Sequence, residues 1–328
     1  MCNERSGKSS VLALLTPDFN RLMPCTTDLS GAPSKERYQP MSSPQRVRCR
    51  EIVPSDLEGV IAILTQGFEH VRNRYYWEHA IKRLSEHVTP PGLPKYGFLL
   101  ESAGVPVGIL LLIFSSRVVE GTLSLRCNVS SWYVAPSFRS FAPLLAMHAT
   151  RNADVTYLNI TASPHTWPLL EAQGYKRFSN GVYIAVPGLR RSQRDVQIQV
   201  ATQDSCRAGG LQSFETDLLL AHASYGCVSL VCRSGDRHLP FVFGLQRKYG
   251  VPFAHLIYCR DPNDFVECAG SLGRFLGRRG FPLVVLDSDG PIRGLVGKYL
   301  ALRPKYSKGP RSLPVGDLAY TERVMFGF

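Results

Sequence analysis

Arg139 stands five residues beyond Val134, where an extended apolar run gives way to a helical pattern. A strand that turns into a helix presents unpaired backbone N–H groups and the positive end of the helix dipole, and together these bind a pyrophosphate. The Arg139 guanidinium would add a charged donor, although a solvated arginine at a helix start reads the same way. Three residues could move a proton: Tyr133 at the end of that strand, His165 at the start of a later helical pattern, and Tyr175 beyond Gly174. His165 has the ordinary pKa best matched to transfer near neutrality. The two tyrosines also suit a core, and His148 falls on the apolar stripe of its helix as a packed residue. Asp287 and Asp289 end a strand and could hold a metal or an amine, or could simply be solvated turn residues. Gly290, Gly294 and Gly297 precede Lys298, but turn glycines around a short helix explain them better than a phosphate loop does. Ser6-Gly7-Lys8-Ser9-Ser10 has part of a phosphate-loop pattern, yet Cys2 occupies the position where the leading glycine is required.

Composition bounds what such residues could serve. The 328 residues are 44% hydrophobic and 20% charged, enough for two domains and too apolar for a disordered chain. The excess of Lys and Arg gives a net charge of +12, which favours anionic partners without choosing among them. No block of five or six basic residues occurs and no aromatic-basic interleaving is present, so nucleic acid is disfavoured as a partner. Residues 105–114 form the most apolar run, well short of the ~20 needed to span a bilayer, so no membrane association is expected. Nine scattered cysteines without zinc spacing read as reduced core residues and make the cytoplasm the default location.

The elements that must position these residues follow from periodicity. Residues 1–44 are rich in Ser, Thr and Pro and read as a weakly ordered or disordered tail. From Arg46 a strand leads to a helix with Leu57, Val60, Ile61 and Leu64 on one face, and a second helix spans about 75–87. Strands are expected at 97–101, 105–115 and 123–134. A helix over 139–151, a strand at 155–160, a helix at 164–173 and a hairpin over 175–186 complete this half. Residues 188–209 are polar and basic and read as a linker. The second half, 210–328, repeats the order in pattern but not in residues: helix and strand within 218–232, strands at 241–245 and 253–259, a helix at 265–279 and a strand at 283–287. A short helix at 291–300 and an extended segment at 319–326 end the chain.

Three stretches of the first half carry a resemblance. Val47–Phe68, with Arg50, Pro54 and Asp56-Leu57, resembles the first strand and helix entry of the GNAT (N-acetyltransferase) superfamily. Trp132-Tyr133-Val134-Ala135-Pro136-Ser137-Phe138-Arg139 resembles the end of its fourth strand and the lead into its cofactor loop. Leu169-Leu170-Glu171-Ala172-Gln173-Gly174-Tyr175 resembles its penultimate helix end. The similarity spans about residues 46–186, and the second half is similar only in the order of its elements. The resemblance implies an α+β fold, a mixed α/β sheet, in two tandem GNAT-like acyl-CoA N-acyltransferase domains: 45–187, and a divergent copy over 210–328.

The resemblance further implies acetyl-CoA or another acyl-CoA as donor substrate, held by Trp132, Val134, Arg139, Ser140, Ala142, Leu144 and Ser163. Tyr133 and His165 would be the catalytic candidates. The sequence departs from the family in three places. Ala142 and Leu144 occupy positions that are usually small, with Pro143, which has no N–H, between them. Leu170 replaces a tyrosine that protonates the leaving thiolate, and Ser163 replaces an asparagine. In the second half, Asp261 and Asp264 stand where a phosphate loop would follow and would repel a pyrophosphate. The expected activity is acyl transfer from a CoA thioester to a small-molecule amine or amino acid, by a monomeric pseudo-dimer or a homodimer. The alternatives are a GNAT-shaped binding protein without chemistry and a Fem-type transferase that uses aminoacyl-tRNA.

Overall fold

The computed structural model describes residues 46–119, 121–191, 195–207 and 210–327. The expected tail at 1–44 lies outside these residues. Two seven-stranded mixed sheets dominate. In the first, β1 (Val47–Glu51), β2 (Gly97–Ser102), β3 (Val105–Val119) and β4 (Thr122–Val134) are successively antiparallel, and β5 (Val155–Asn159) then runs parallel to β4. Ala103 and Gly104, both at positive φ (51° and 80°), make the tight turn between β2 and β3 that twisted hairpins require. The apolar run within β3 is explained by its central place: alternate residues pack on opposite faces, Leu111 and Ile113 on one and Leu110 and Leu112 on the other.

Helices α1 (Leu57–Gly67) and α2 (Arg74–Glu86) cover the first face, with Val60, Ile61 and Leu64 of α1 buried as their spacing predicts. The Asn73 side chain caps α2 by accepting from the Tyr76 N–H at 3.0 Å. On the other face lie α3 (Ala142–Ala149) and α4 (Trp167–Ala172). Each is preceded by a 3₁₀ turn, at Pro136–Phe141 and Pro164–Thr166, so the helix expected from residue 139 starts three residues later.

The second sheet repeats this plan. β8 (Val196–Val200), β9 (Val228–Ser234), β10 (Arg237–Lys248) and β11 (Val251–Cys259) are antiparallel, and β12 (Leu283–Ser288) is parallel to β11. α5 (Gln203–Arg207) and α6 (Ser213–Ser224) connect β8 to β9, and α7 (Pro262–Gly277) covers the opposite face. β8 and α5 fall within the stretch read as linker. Among the described residues, no helix is long and apolar enough to cross a membrane.

The two sheets exchange strands. β6 (Lys176–Ser179) stays at the edge of the first sheet, but β7 (Gly181–Ala185) pairs with β12 and with β13 (Gly297–Leu300) in the second. In return, β14 (Lys305–Lys308) enters the first sheet between β5 and β6. The expected hairpin over 175–186 and the expected helix over 291–300 are therefore corrected: each stretch supplies a strand to a long-range pairing that local periodicity does not report. Gly297 belongs to this pairing, since a Cβ there would lie 2.2 Å from the Ile184 carbonyl oxygen. It is a packing glycine and not part of a phosphate loop.

The chain end fastens the two sheets together. Gly316 and Leu318 hydrogen-bond to Cys259 and Ile257 of β11, while the Asp317 carboxylate receives Arg117 of β3 and Arg126 of β4, each at 2.6 Å. Asp317 is 1% exposed and Arg126 5%. Beyond it, the Tyr320 N–H donates to His222 Nε2 at 3.1 Å, so His222 Nδ1 carries the proton and donates to the Leu218 carbonyl. The segment expected to be extended then coils into α8 (Glu322–Met325), whose Met325 joins the core beneath α1 and α2.

These contacts set a pH dependence. The arginines hold the Asp317 carboxyl down at about 2, and burial holds His222 down at about 4. Both folded values lie below the unfolded ones, so both groups stabilise fully above their unfolded pKa and lose that contribution as pH falls. Denaturant titrations should show stability declining from pH ~6.5 to 4 through His222, and from pH ~4 to 2 through Asp317, the latter by about 2 kcal/mol. Asp317→Asn should cost about 3–5 kcal/mol at pH 7, because it leaves Arg126 buried without a counter-charge, and should flatten the profile below pH 4.

Candidate functional site

β4 and β5 pair only from Leu125–Val155 to Asn128–Leu158, and beyond that the two strands part. The stretch Val129–Val134 continues alone on this side, still bonded to β3 on the other. Within it, Ser130 opposes Leu111 and Tyr133 opposes Ile109, so two residues of β4 stand against one of β3. This is a β-bulge, and Ser131 within it has a φ of 52°. A bulge leaves a residue out of the ladder and turns its neighbours, here beside the opening between β4 and β5.

Four polar side chains mark the opening. The Asn128 amide is 2% exposed, and among the described residues neither its nitrogen nor its oxygen has a partner; the buried Trp132 Nε1 has none either. Ser130 and Thr161 lie on opposite sides of the opening, and both hydroxyls donate to the Glu322 carboxylate, one to each oxygen. Glu322 thus spans the gap between the strands. Its helix is held by Thr321, which donates to the Leu318 carbonyl at 2.7 Å, and by Arg83 of α2, which donates to the Val324 carbonyl at 3.3 Å. Burial raises the Glu322 pKa above the ordinary carboxylate value, and the hydroxyl donors, Arg323 and Arg72 oppose the rise. A carboxylate tuned in this direction is a stronger base, suited to taking a proton from an ammonium group.

The residues singled out from the sequence lie on β4, in the two 3₁₀ turns and at the start of α3. Tyr133 lies on the α1 face of β4, half-buried, with its ring 6.2 Å from Phe68. Trp132 and Val134 pack on the α3 face. Arg139 and Ser140 are exposed in the 3₁₀ turn, Ala142 and the largely exposed Leu144 begin α3, and the Arg139 carbonyl accepts from the Ala142 N–H. Ser163 starts the turn before α4, where its carbonyl accepts from the Thr166 hydroxyl at 2.8 Å. His165 is exposed in that turn, and no contact among the described residues joins it to Tyr133.

The side chains read as packed are indeed packed: Tyr175 is buried, and His148 meets Phe98 edge-to-face at 4.8 Å. Asp287 is not a solvated turn residue but a buried partner of Lys305, and Asp289 accepts from the Asn180 backbone and side chain. Asp264 pairs with Arg237, and Asp261 caps α7. Among the described residues no cluster of three metal-ligating side chains occurs.

Sequence reasoning missed Glu322, Asn128, Ser130 and Thr161. Two signals pointed to them: the polar pair Ser130-Ser131 interrupts an apolar central strand, and Thr321-Glu322 offers a helix start near the chain end.

No family model and no curated protein matches this sequence. Solved structures do match the fold. A candidate acetyltransferase from Pyrococcus horikoshii aligns over 88% of this chain and 97% of its own, with 12% identity and a TM-score of 0.50. GCN5-related N-acetyltransferases from Anabaena variabilis (80% and 72%, 11% identity, TM-score 0.52) and Kribbella flavida (80% and 71%, 12% identity, TM-score 0.50) are similar to it as well. The chain has a tandem GNAT-like fold.

The hydroxyl pair around Glu322 can be tested directly. Ser130→Ala or Thr161→Val removes a donor to the charged carboxylate, so the Glu322 pKa should rise further, as read by carbon-13 NMR of the carboxyl across pH.

Proposed function

We propose that this protein is an acyl-CoA-dependent N-acyltransferase that acylates the amine of a small molecule or amino acid. The observation that carries this reading is the Glu322 carboxylate, held by Ser130 and Thr161 across the opening between β4 and β5, beside a bulge in β4. The GNAT-like fold supports it.

The donor side fits in part. Asn128 and Trp132 Nε1, buried without partners, suit the amide groups of a pantetheine arm. Arg139, exposed and without an ion-pair partner among the described residues, suits a pyrophosphate, with Ser140, Ala142, Leu144 and Ser163 around it. Pro143 withholds one N–H from that end, so phosphate binding leans on Arg139 more than on the backbone.

A bound acyl-CoA would supply a thioester carbonyl that is already activated, and the protein must position and deprotonate the amine. Glu322 accepts the ammonium proton, and the freed amine attacks the carbonyl carbon. A C–N bond forms, the C–S bond breaks, the thiolate leaves, and the acylated nitrogen gives up its second proton to solvent. A backbone N–H of the bulge, between Ser131 and Val134, donates to the carbonyl oxygen as negative charge develops there. Leu170 is buried and gives no proton, so the candidate donors to the thiolate are Tyr133, on the face that Ser130 shares, and His165, exposed in the turn before α4.

Calorimetric titration with acetyl-CoA should show micromolar binding that Arg139→Ala weakens by about 1.5–3 kcal/mol. Glu322→Gln should keep that affinity and lower kcat with a responsive amine by roughly 100- to 10,000-fold. No binding at millimolar acetyl-CoA would leave a GNAT-shaped protein with some other ligand.

A further inference from the structure

The second sheet carries a cavity of its own. In the first sheet α1 and α2 together cover the face reached by the β1–β2 connection. In the second, α5 is a single short turn and α6 covers only part of the corresponding face. What remains open is lined by every second residue of five strands, among them Ile184 of β7, Phe253 and His255 of β11, and Val285 of β12, with Arg303 and Arg323 closing it from the chain end. The space open to the centre of a water molecule is about 90 Å³. At 10–15 Å³ per water-sized occupant, that admits roughly six to nine non-hydrogen atoms.

The walls are mostly apolar, and among the described residues the charges that line them are positive: Lys248, Arg303 and Arg323. No carboxylate among the described residues lines the cavity. The acids nearest Arg323 hydrogen-bond other groups, Asp287 through Oδ1 to Lys305 and Glu322 to Ser130 and Thr161, while their charges still favour the Arg323 cation. Arg323 Nη1 donates to His255 Nδ1 at 3.4 Å, which leaves the imidazole proton on Nε2. His255 is 3% exposed, and among the described residues that Nε2–H has no partner and the buried Arg323 Nε has none either. Loss of solvent, with the neighbouring arginine in each case (Arg303 and Arg323), pushes Lys248 down to about 8 and Arg303 down to about 9. The buried His255 Nε2–H and Arg323 Nε–H are costly without acceptors, and an incoming anion would satisfy them.

We propose that this cavity binds a small organic anion with an apolar body, a carboxylate of short-chain aliphatic or single-ring aromatic type. The carboxylate meets Arg323, Arg303 and His255 Nε2–H, and the hydrocarbon lies along Ile184, Phe253 and Val285. The site is separate from the opening between β4 and β5 and does not depend on acyl transfer there.

Titration calorimetry on the full chain with hexanoate and benzoate tests this, with hexanol as the uncharged control. Both carboxylates should bind, and hexanol at least tenfold more weakly. Arg303→Met, at the rim, should weaken hexanoate about tenfold or more. Val285→Phe, which fills the cavity without touching a charge, should abolish binding, and thermal melts of both variants check that they remain folded. Acetyl-CoA affinity should be unchanged in both, which keeps this test apart from that of the transferase. Equal binding of hexanol and hexanoate, hexanoate binding that survives both substitutions, or no binding by either carboxylate would each overturn the proposal.

Discussion

The Asp317 carboxylate, buried between Arg117 and Arg126, is the interaction on which the arrangement of the chain end depends. A carboxylate so far from water is tolerable only because two guanidinium groups meet it, and those come from β3 and β4 of the first sheet while the Asp317 backbone lies along β11 of the second. That one residue therefore sets where the last dozen residues run. From it the chain passes His222, turns at Thr321 and enters α8, which sends Glu322 to one sheet and Arg323 to the other.

The strand exchange works to the same end. β7 completes the second sheet and β14 is inserted into the first, so neither half closes its own hydrogen-bond ladder without the other. The exchanged strands tie the halves by backbone hydrogen bonds, and β7 and β13 of that exchange line the cavity in the second sheet. The opening in the first sheet arises where parallel strands stop pairing and β4 bulges. The cavity in the second arises where only part of a sheet face is covered by helix. In each case the backbone leaves a gap, and a residue of α8 supplies the charge.

Several elements were legible because they rest on local physics. The amphipathic spacing of Val60, Ile61 and Leu64 marks α1, the Ala103-Gly104 turn marks the β2–β3 hairpin, and the apolar run in β3 marks a strand buried on both faces. The stretch from Trp132 to Arg139 was legible as the end of a strand leading into a helical turn. The residues that failed to declare themselves are those whose role comes from a distant partner. Lys305–Lys308 has no alternation of its own and is a strand only because β5 and β6 flank it. Asp287 reads as a turn residue until Lys305 arrives beside it.

The sequence by itself determined the two-part α+β plan, the order of the principal strands and helices in each half, the positive net charge and the resemblance that residues 46–186 carry, since each rests on periodicity, composition or short-range motif. The tertiary structure alone decided that the halves trade strands, that β4 bulges at Ser131 just where β5 leaves it, and that Glu322, nearly two hundred residues from Ser130, stands between the parted strands. The physical reason is the range of the forces involved. Helix and strand patterns are read from neighbours in the chain, whereas ion pairing, ladder closure and burial of a carboxylate are settled by whichever groups the finished fold brings within hydrogen-bonding distance.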